Sequence, residues 1–252
     1  MRLIFVDTET NDHPSKRLEL RIVSITWLVA QSNGVTEKLE NYIIKPDGFR
    51  IAPGATMIHG ITEHQARKEG HAITKVLRKF VSDLQTPGEK TIIGHNISFD
   101  LDVINTELNR HQFSFDIAHL PSICTMRSSV PVCQLSKARG KGYKNPKLQE
   151  LHVSLFGQPF SNAHTSKADV EATARCFFEL WRKGLFQHLG IAPPTANLGI
   201  KTVISCPHCN QQLRVPTGKL LDIKCPTCRH CFRQFTGYND EIDFSHKCGE
   251  KQ

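Results

Sequence analysis

Three short stretches carry carboxylates at spacings suited to joint chemistry: Phe5-Val6-Asp7-Thr8-Glu9-Thr10, His95 to Asp100, and His164 to Asp169. Asp7 and Glu9 close the apolar run Leu3-Ile4-Phe5-Val6, which reads as a buried strand because it is branched and aromatic and stops at polar residues. Side chains alternate along a strand, so the two acids share a face with Cα atoms roughly 6–7 Å apart. At an effective dielectric near 20, two carboxylates at that spacing repel by roughly 2–3 kcal/mol. An isolated pair is ordinarily two wet acids at a strand end. The other two acids change that reading. Asp100 opens a predicted helix just after a predicted strand, and Asp169 lies in the first turns of the last long helix, with His164 in the loop before it. Four carboxylates converging above one sheet would repel strongly without cations, and hard oxygen donors favour two Mg²⁺ or Mn²⁺ ions. Two such ions about 4 Å apart clamp the attacking and leaving oxygens of a phosphoryl displacement.

A second constellation lies late in the chain. Of nine cysteines, Cys206-Pro207-His208-Cys209 and Cys225-Pro226-Thr227-Cys228 form two C-P-x-C knuckles separated by fifteen residues. Four thiolates at this spacing predict one tetrahedral, structural Zn²⁺. About thirty residues cannot build a sufficient core alone, so the metal would supply most of the stability. The stretch resembles a zinc ribbon, each knuckle leading into a strand (Gln212 to Val215 and Phe232 to Phe235). Cys231 and His230 are spare candidates. Aligning the knuckles sets Cys231 opposite Gln212, so Cys231 reads as packing.

The elements that must position these groups follow from periodicity. After the first strand, residues 11–19 read as loop. Strands are expected over 21–30 and 36–45, joined by Asn33-Gly34, which makes three consecutive antiparallel strands. Residues 51–62 read as loop, with Thr62 capping a short helix through Gln65. Helices are predicted over 73–84, 100–109, 148–156 and 167–183, a buried strand over 91–95, and a short one within 113–124. Residues 127–147 are Ser-, Gly- and Lys-rich and carry no continuous element. The expected fold is α/β: a mixed sheet with helices on both faces, over residues 1–190. Pro193-Pro194 marks a linker over 191–203, then come the ribbon over 204–237 and a polar tail over 238–252.

A chain of 252 residues is long enough for one large domain and a small appendage, and its formal charge of +8 suits a polyanionic partner without proving one. No apolar run approaches the ~18 residues of a membrane span, and the apolar start is too short for a signal peptide, which predicts a cytoplasmic protein with no membrane partner. Cysteine in a reducing compartment points to metal or isolated core thiols over disulfides.

Phe5 to Thr10, Gly94-His95-Asn96-Ile97-Ser98-Phe99-Asp100 and His164-Thr165-Ser166-Lys167-Ala168-Asp169 resemble the three exonuclease motifs of the DEDD superfamily, in its DEDDh branch. The likeness covers roughly residues 1–185. It implies a ribonuclease-H-like fold and metal-dependent removal of nucleoside monophosphates from the 3′ end of nucleic acid, with DNA and single strands favoured. By that likeness Asp7 touches both metals, Glu9 and Asp169 hold the one beside the attacking water, and Asp100 serves the other. His164 would be the general base, since histidine's ordinary pKa near 6.5 suits the task. The tyrosine branch carries Tyr where this chain has Thr165.

The likeness also nominates Ile58, His59 and Ile61 for the terminal base. Thr8, Asn96 and Phe99 are further substrate candidates within the motifs. His95 reads as a core or helix-start residue. Lys141 and Lys144, with Lys137, Arg139 and Lys147, form a phosphate grip or a solvated loop. A rival reading, a nucleic-acid-binding protein that lost catalysis, predicts a broken acid set, whereas all four acids and His164 are present. An RNA-trimming enzyme of the same chemistry stays open, since no pattern here reads a 2′-OH. The ribbon's partner, protein or nucleic acid, is not legible.

Overall fold

Leu3 to Val6 become the fully buried middle of strand β1 (Arg2–Thr10) in a computed structural model of the chain. It describes residues 1–13, 15, 19–189, 201–216 and 220–235. β2 (Ile22–Gln31) pairs antiparallel with β1, and β3 (Thr36–Ile43) antiparallel with β2. The β2–β3 turn closes where expected, with the Gly34 N–H donating to the Gln31 carbonyl. β4 (Lys90–Gly94) lies parallel on the other side of β1, and β5 (Ser122–Cys124) parallel to β4. The sheet order is thus β3-β2-β1-β4-β5, with β1 at its centre.

Helices cover both faces. Ile4 and Val6 point into a core shared with α3 (Ile73–Leu84) and α4 (Ile97–Arg110). Leu3 and Phe5 point into a second core shared with α7 (Leu148–Phe156) and α8 (Ser166–Arg182). Phe5 meets Phe177 of α8 edge-on at 5.5 Å, and Phe177, Phe178 and Trp181 continue that aromatic packing. The strand's alternation therefore decides which helix layer each catalytic candidate meets.

Three expectations change. Residues 51–62 are not all loop, because α1 spans Pro53–His59 and α2 spans Glu63–Glu69. Proline at the first helical position presets φ, and Gly60 closes α1 in the left-handed conformation, at φ 76°. Seven residues were too few for a legible 3.6-residue period. Thr62 does cap α2, accepting from the Gln65 N–H. Residues 125–133 form two four-residue helices, α5 (Thr125–Ser128) and α6 (Val130–Cys133).

Third, among the described residues the ribbon has four strands, two more than expected. β6 (Lys201–Ser205) pairs antiparallel with β7 (Gln212–Pro216), and β8 (Leu220–Lys224) with β9 (Cys231–Phe235). β6 begins inside the stretch read as linker. The Pro193-Pro194 pair and the polar tail lie outside the described residues. Among those described, no helix is long and apolar enough to cross a membrane.

Candidate active site

Asp7 and Glu9 continue the odd-numbered face of β1, toward α8. Asp169 sits in the first turn of α8, and one carboxylate oxygen each from Asp7, Glu9 and Asp169 lie within 4.8 Å of one another. Asp100, in the first turn of α4, comes from the opposite side of the sheet. It is buried, and its Oδ1 accepts from both the Thr8 N–H (2.9 Å) and the Thr8 hydroxyl (2.8 Å). Thr8 faces α4 because its neighbours Asp7 and Glu9 face α8. The Thr8 side chain and N–H therefore fix the Asp100 carboxylate.

The helix starts are anchored as firmly as the acids. Gly94 ends β4 with no room for a side chain: a Cβ there would stand 2.7 Å from Ile97 Cδ1 and 3.1 Å from the Val6 carbonyl oxygen. Asn96 then takes a left-handed turn at φ 71°, which asparagine tolerates, and α4 begins. At α8, Thr165 caps the helix by accepting from the Ala168 N–H. Ser166 is buried, with its hydroxyl 2.7 Å from that of Ser24 and 2.8 Å from that of Thr26. Ser24 and Thr26 are the cross-strand partners of Glu9 and Asp7. The strand pair that carries two of the acids thus also holds the start of the helix that carries the third. Ser166→Ala, which strands the Ser24 hydroxyl, should destabilise the fold by about 1–3 kcal/mol in denaturant melts; an unchanged midpoint would mean the hydroxyl cluster does not hold α8.

Burial raises every acid of the cluster, and repulsion from neighbouring acids adds to it at Asp7, Glu9 and Asp100. Burial lifts Glu9 to about 8, with the charges of Asp169 and Asp100 adding to it. Burial lifts Asp100 to about 7 against the two Thr8 hydrogen bonds. Asp169 is raised by burial to about 6, with His164 opposing. Asp7 is raised by burial and then by Asp100, Asp169 and Glu9. Such a set is disfavoured as bare anions, and its all-oxygen donors suit hard divalent ions.

A testable pH dependence follows. Unfolded carboxylates titrate near 4, so Glu9 and Asp100 have folded values above their unfolded ones. Their stabilising contribution is complete at low pH and is lost as pH rises through the folded values. Without Mg²⁺ or Mn²⁺, the melting temperature should therefore fall between about pH 6.5 and about pH 8.5, and Mg²⁺ should restore it most at the upper end. Buried His59 and His95, both lowered by burial (His95 to about 4), act only below the ordinary histidine value, which keeps the window clean. A flat profile would contradict the crowding of these acids.

His164 is exposed, in the left-handed conformation at φ 68°, and its N–H donates to Asp169 Oδ2 at 3.2 Å. Its backbone is thus tied to the cluster, its charge acts on Asp169, and the residue is open to solvent. His95 is a fastening residue, as expected of a core or helix-start position. Its ring nitrogens lie 3.1 Å from the Thr125 hydroxyl and 3.0 Å from the Pro146 carbonyl.

The remaining substrate candidates divide. Ile58 is exposed, but His59 is buried, with Nδ1 accepting from the Ile61 N–H, and Ile61 packs against a small core beside α1. Met57, 87% exposed, escaped the sequence reading because methionine on a short unrecognised helix carries no signal. Phe99 packs on the α4-side core, while Asn96 is exposed. Lys144 pairs with Glu150 of α7 and so is occupied. Lys141 is exposed on a turn fastened by the Ser136–Tyr143 bridge and by Lys144 N–H to the Leu135 carbonyl, where no regular pairing was expected.

In the ribbon, the Sγ atoms of Cys206, Cys209, Cys225 and Cys228 lie within 4.8 Å of one another. Two pairs, Cys206 with Cys228 and Cys209 with Cys225, stand at 3.6 Å. A tetrahedral ion with Zn–S near 2.3 Å would set its sulfurs about 3.8 Å apart, so the cluster fits zinc closely. Without an ion the crowded thiols split: the Cys228 N–H holds Cys225 down to about 6, while Cys228 is pushed up to about 12. Cys231 is exposed and outside the cluster. Cys225→Ser should therefore release zinc and Cys231→Ser retain it, as read by metal analysis of purified protein; equal losses would contradict the assignment.

Comparison with known proteins agrees with this geometry. Residues 4–177 match the RNase_T family model, described as Exonuclease. The 3′-5′ exonuclease DinG of Bacillus subtilis (strain 168) is 24% identical over 184 residues, covering 72% of this chain and 18% of DinG. E. coli Exonuclease I, solved with a dA16 oligonucleotide, superposes with a TM-score of 0.61 at 22% identity over 75% of this chain and 43% of that one. Exonuclease I from Methylocaldum szegediense gives 0.58 at 21% identity over 73% and 41%. The chain thus spans less than half the length of these relatives, and the structural likeness is one of fold. Since the family match spans well over half of the sequence and contains every carboxylate of the cluster, the chain belongs to the exonuclease family.

Proposed function

We propose that this chain is a metal-dependent 3′–5′ exonuclease that hydrolyses the terminal phosphodiester of a single strand, DNA in preference, and releases nucleoside monophosphates in a cytoplasmic setting. The observation that carries the reading is the convergence of Asp7, Glu9 and Asp169 from one side of the sheet with Asp100 from the other. Asp7, Glu9 and Asp169 would hold one divalent ion, and Asp7 with Asp100 a second. Mg²⁺ or Mn²⁺, when bound, supplies the positive charge and Lewis acidity that phosphoryl displacement needs. Thr8 holds Asp100 at a fixed height, and Ser166 holds α8, so the four carboxylates are set before substrate arrives. His164, exposed beside Asp169, takes the proton of the attacking water.

Exposed Ile58 and Met57 at the C-terminal end of α1 are the surfaces offered to the terminal base, and His59 supports them from beneath. Asn96 and Lys141 are exposed and suit sugar–phosphate contacts. The dA16 oligonucleotide and the single-stranded DNA bound in E. coli Exonuclease I structures support DNA as the preferred polymer. The test is degradation of matched 3′-labelled single-stranded DNA, duplex DNA and RNA, with and without Mg²⁺. Single-stranded DNA should be shortened fastest and only with the metal. RNA cleaved faster than DNA would reassign the substrate, and no cleavage of any polymer would sink the reading.

A further inference from the structure

The two zinc knuckles are near copies. Cys206 and Cys225 each receive a turn from a left-handed residue, Asn210 at φ 58° and Arg229 at φ 60°. The Cys206 N–H donates to the Gln211 carbonyl and the Cys225 N–H to the His230 carbonyl, both at 2.9 Å. In this repeat His208 corresponds to Thr227, and His230 to Gln211. Threonine and glutamine satisfy the same backbone positions in the sister knuckle, so neither metal binding nor the turn requires a ring at 208 or 230. Yet the rings come together. His208 and His230 are near parallel, at 16° and 5.2 Å, and His230 continues to Phe232 at 17° and 6.3 Å. Both histidines are exposed, and Phe232 is half-buried against the ribbon's small core.

Three near-parallel, offset rings with one end rooted in the core and the other in water form a platform for a flat partner. The surroundings are basic. Residues 201–235 hold six Lys or Arg against one Asp; exposed Arg229 directly precedes His230, and exposed Lys224 is the cross-strand partner of Cys231, between His230 and Phe232. Rings that accept any base face, together with cations for the backbone, are what unpaired nucleic acid requires. We propose that the His208–His230–Phe232 platform docks unpaired bases of a single-stranded nucleic acid, with Arg229 and Lys224 on its phosphates. The docking concerns binding alone and stands whether or not the acid cluster cuts.

The test is fluorescence anisotropy of the full chain without Mg²⁺ or Mn²⁺, on labelled oligothymidine and oligouridine of about 20 nucleotides, longer than a usual single-fold site. Stacking is worth about 1–3 kcal/mol per base, so His208→Ala/His230→Ala should weaken binding roughly tenfold or more. His208→Phe/His230→Phe should restore it, with zinc content equal in all three proteins. Restoration on only one polymer identifies that polymer as the ligand. An alanine variant that binds both like wild type, as it would if the platform served a protein partner, overturns the proposal, as does a phenylalanine variant as weak as alanine. Should the alanine variant lose zinc, Arg229→Gln/Lys224→Gln carries the test. The slope of log affinity against log salt should drop by about 1.4, at roughly 0.7 per phosphate contact, and an unchanged slope overturns it. Failure of the nuclease reading would instead appear as absent cleavage with this binding intact.

Discussion

In Asp7→Asn, cleavage should fall by at least roughly 10³-fold while the metal-free protein becomes more stable. Asp7 neighbours Glu9 and Asp169 in one cluster and is raised by every other acid of the set. An amide of the same shape removes an anion the metals need, and such a loss exceeds the ~10–100-fold in metal affinity that a lost outer partner costs. The same change relieves like-charge crowding, so the melting temperature without divalent ions should rise. A stabilised, inactive protein is the signature of a residue kept for chemistry at a cost in stability. Loss of activity together with loss of stability would make Asp7 a structural residue instead. Isothermal titration with Mn²⁺, beside melts at about pH 8, measures both arms.

The second large effect belongs to His164. His164→Ala should lower the single-turnover rate by roughly 10²–10⁴-fold at saturating Mn²⁺, the usual contribution of a positioned general base. Metal affinity should stay near wild type, because all four carboxylates remain and the bond from residue 164 to Asp169 comes from the backbone N–H. Stability should change little, since the ring is exposed. This pattern separates a base from a ligand, which would lose metal, and from a packing residue, which would lose stability. A near wild-type rate would remove His164 from the mechanism and the DEDDh assignment with it.

Much of the site was legible because its information is local. Asp7 and Glu9 declare a shared face through strand alternation alone, and Asp100 and Asp169 declare helix starts through their position after a strand and before an apolar stripe. What stayed hidden depends on contacts far apart in the chain. The bond from Thr8 to Asp100 could not be read, because α4 delivers that acid from the opposite face of the sheet across 92 residues. Ser166 carries no signal of its own, because its partners lie 140 and 142 residues away on β2. The sorting of residues 57–59 was hidden by α1: a helix of seven residues turns Met57 and Ile58 outward and His59 inward, whereas a loop implied no such sorting. In the ribbon the thiolate spacing revealed the metal site, but β6 and β8 exist only as partners of the strands after each knuckle.

The proposed enzyme uses its carboxylate cluster to direct metal-dependent hydrolysis to a 3′ end. A time course on single-stranded DNA labelled at the 5′ end in one sample and the 3′ end in another, with Mg²⁺ and with Asp7→Asn as control, tests it most directly. The 3′ label should leave at once as a mononucleotide, while the 5′-labelled strand shortens one nucleotide at a time, and the control should do neither. Early release of the 5′ label, internal fragments, or equal cleavage by the Asp7→Asn protein would rule out a 3′–5′ exonuclease run by this cluster.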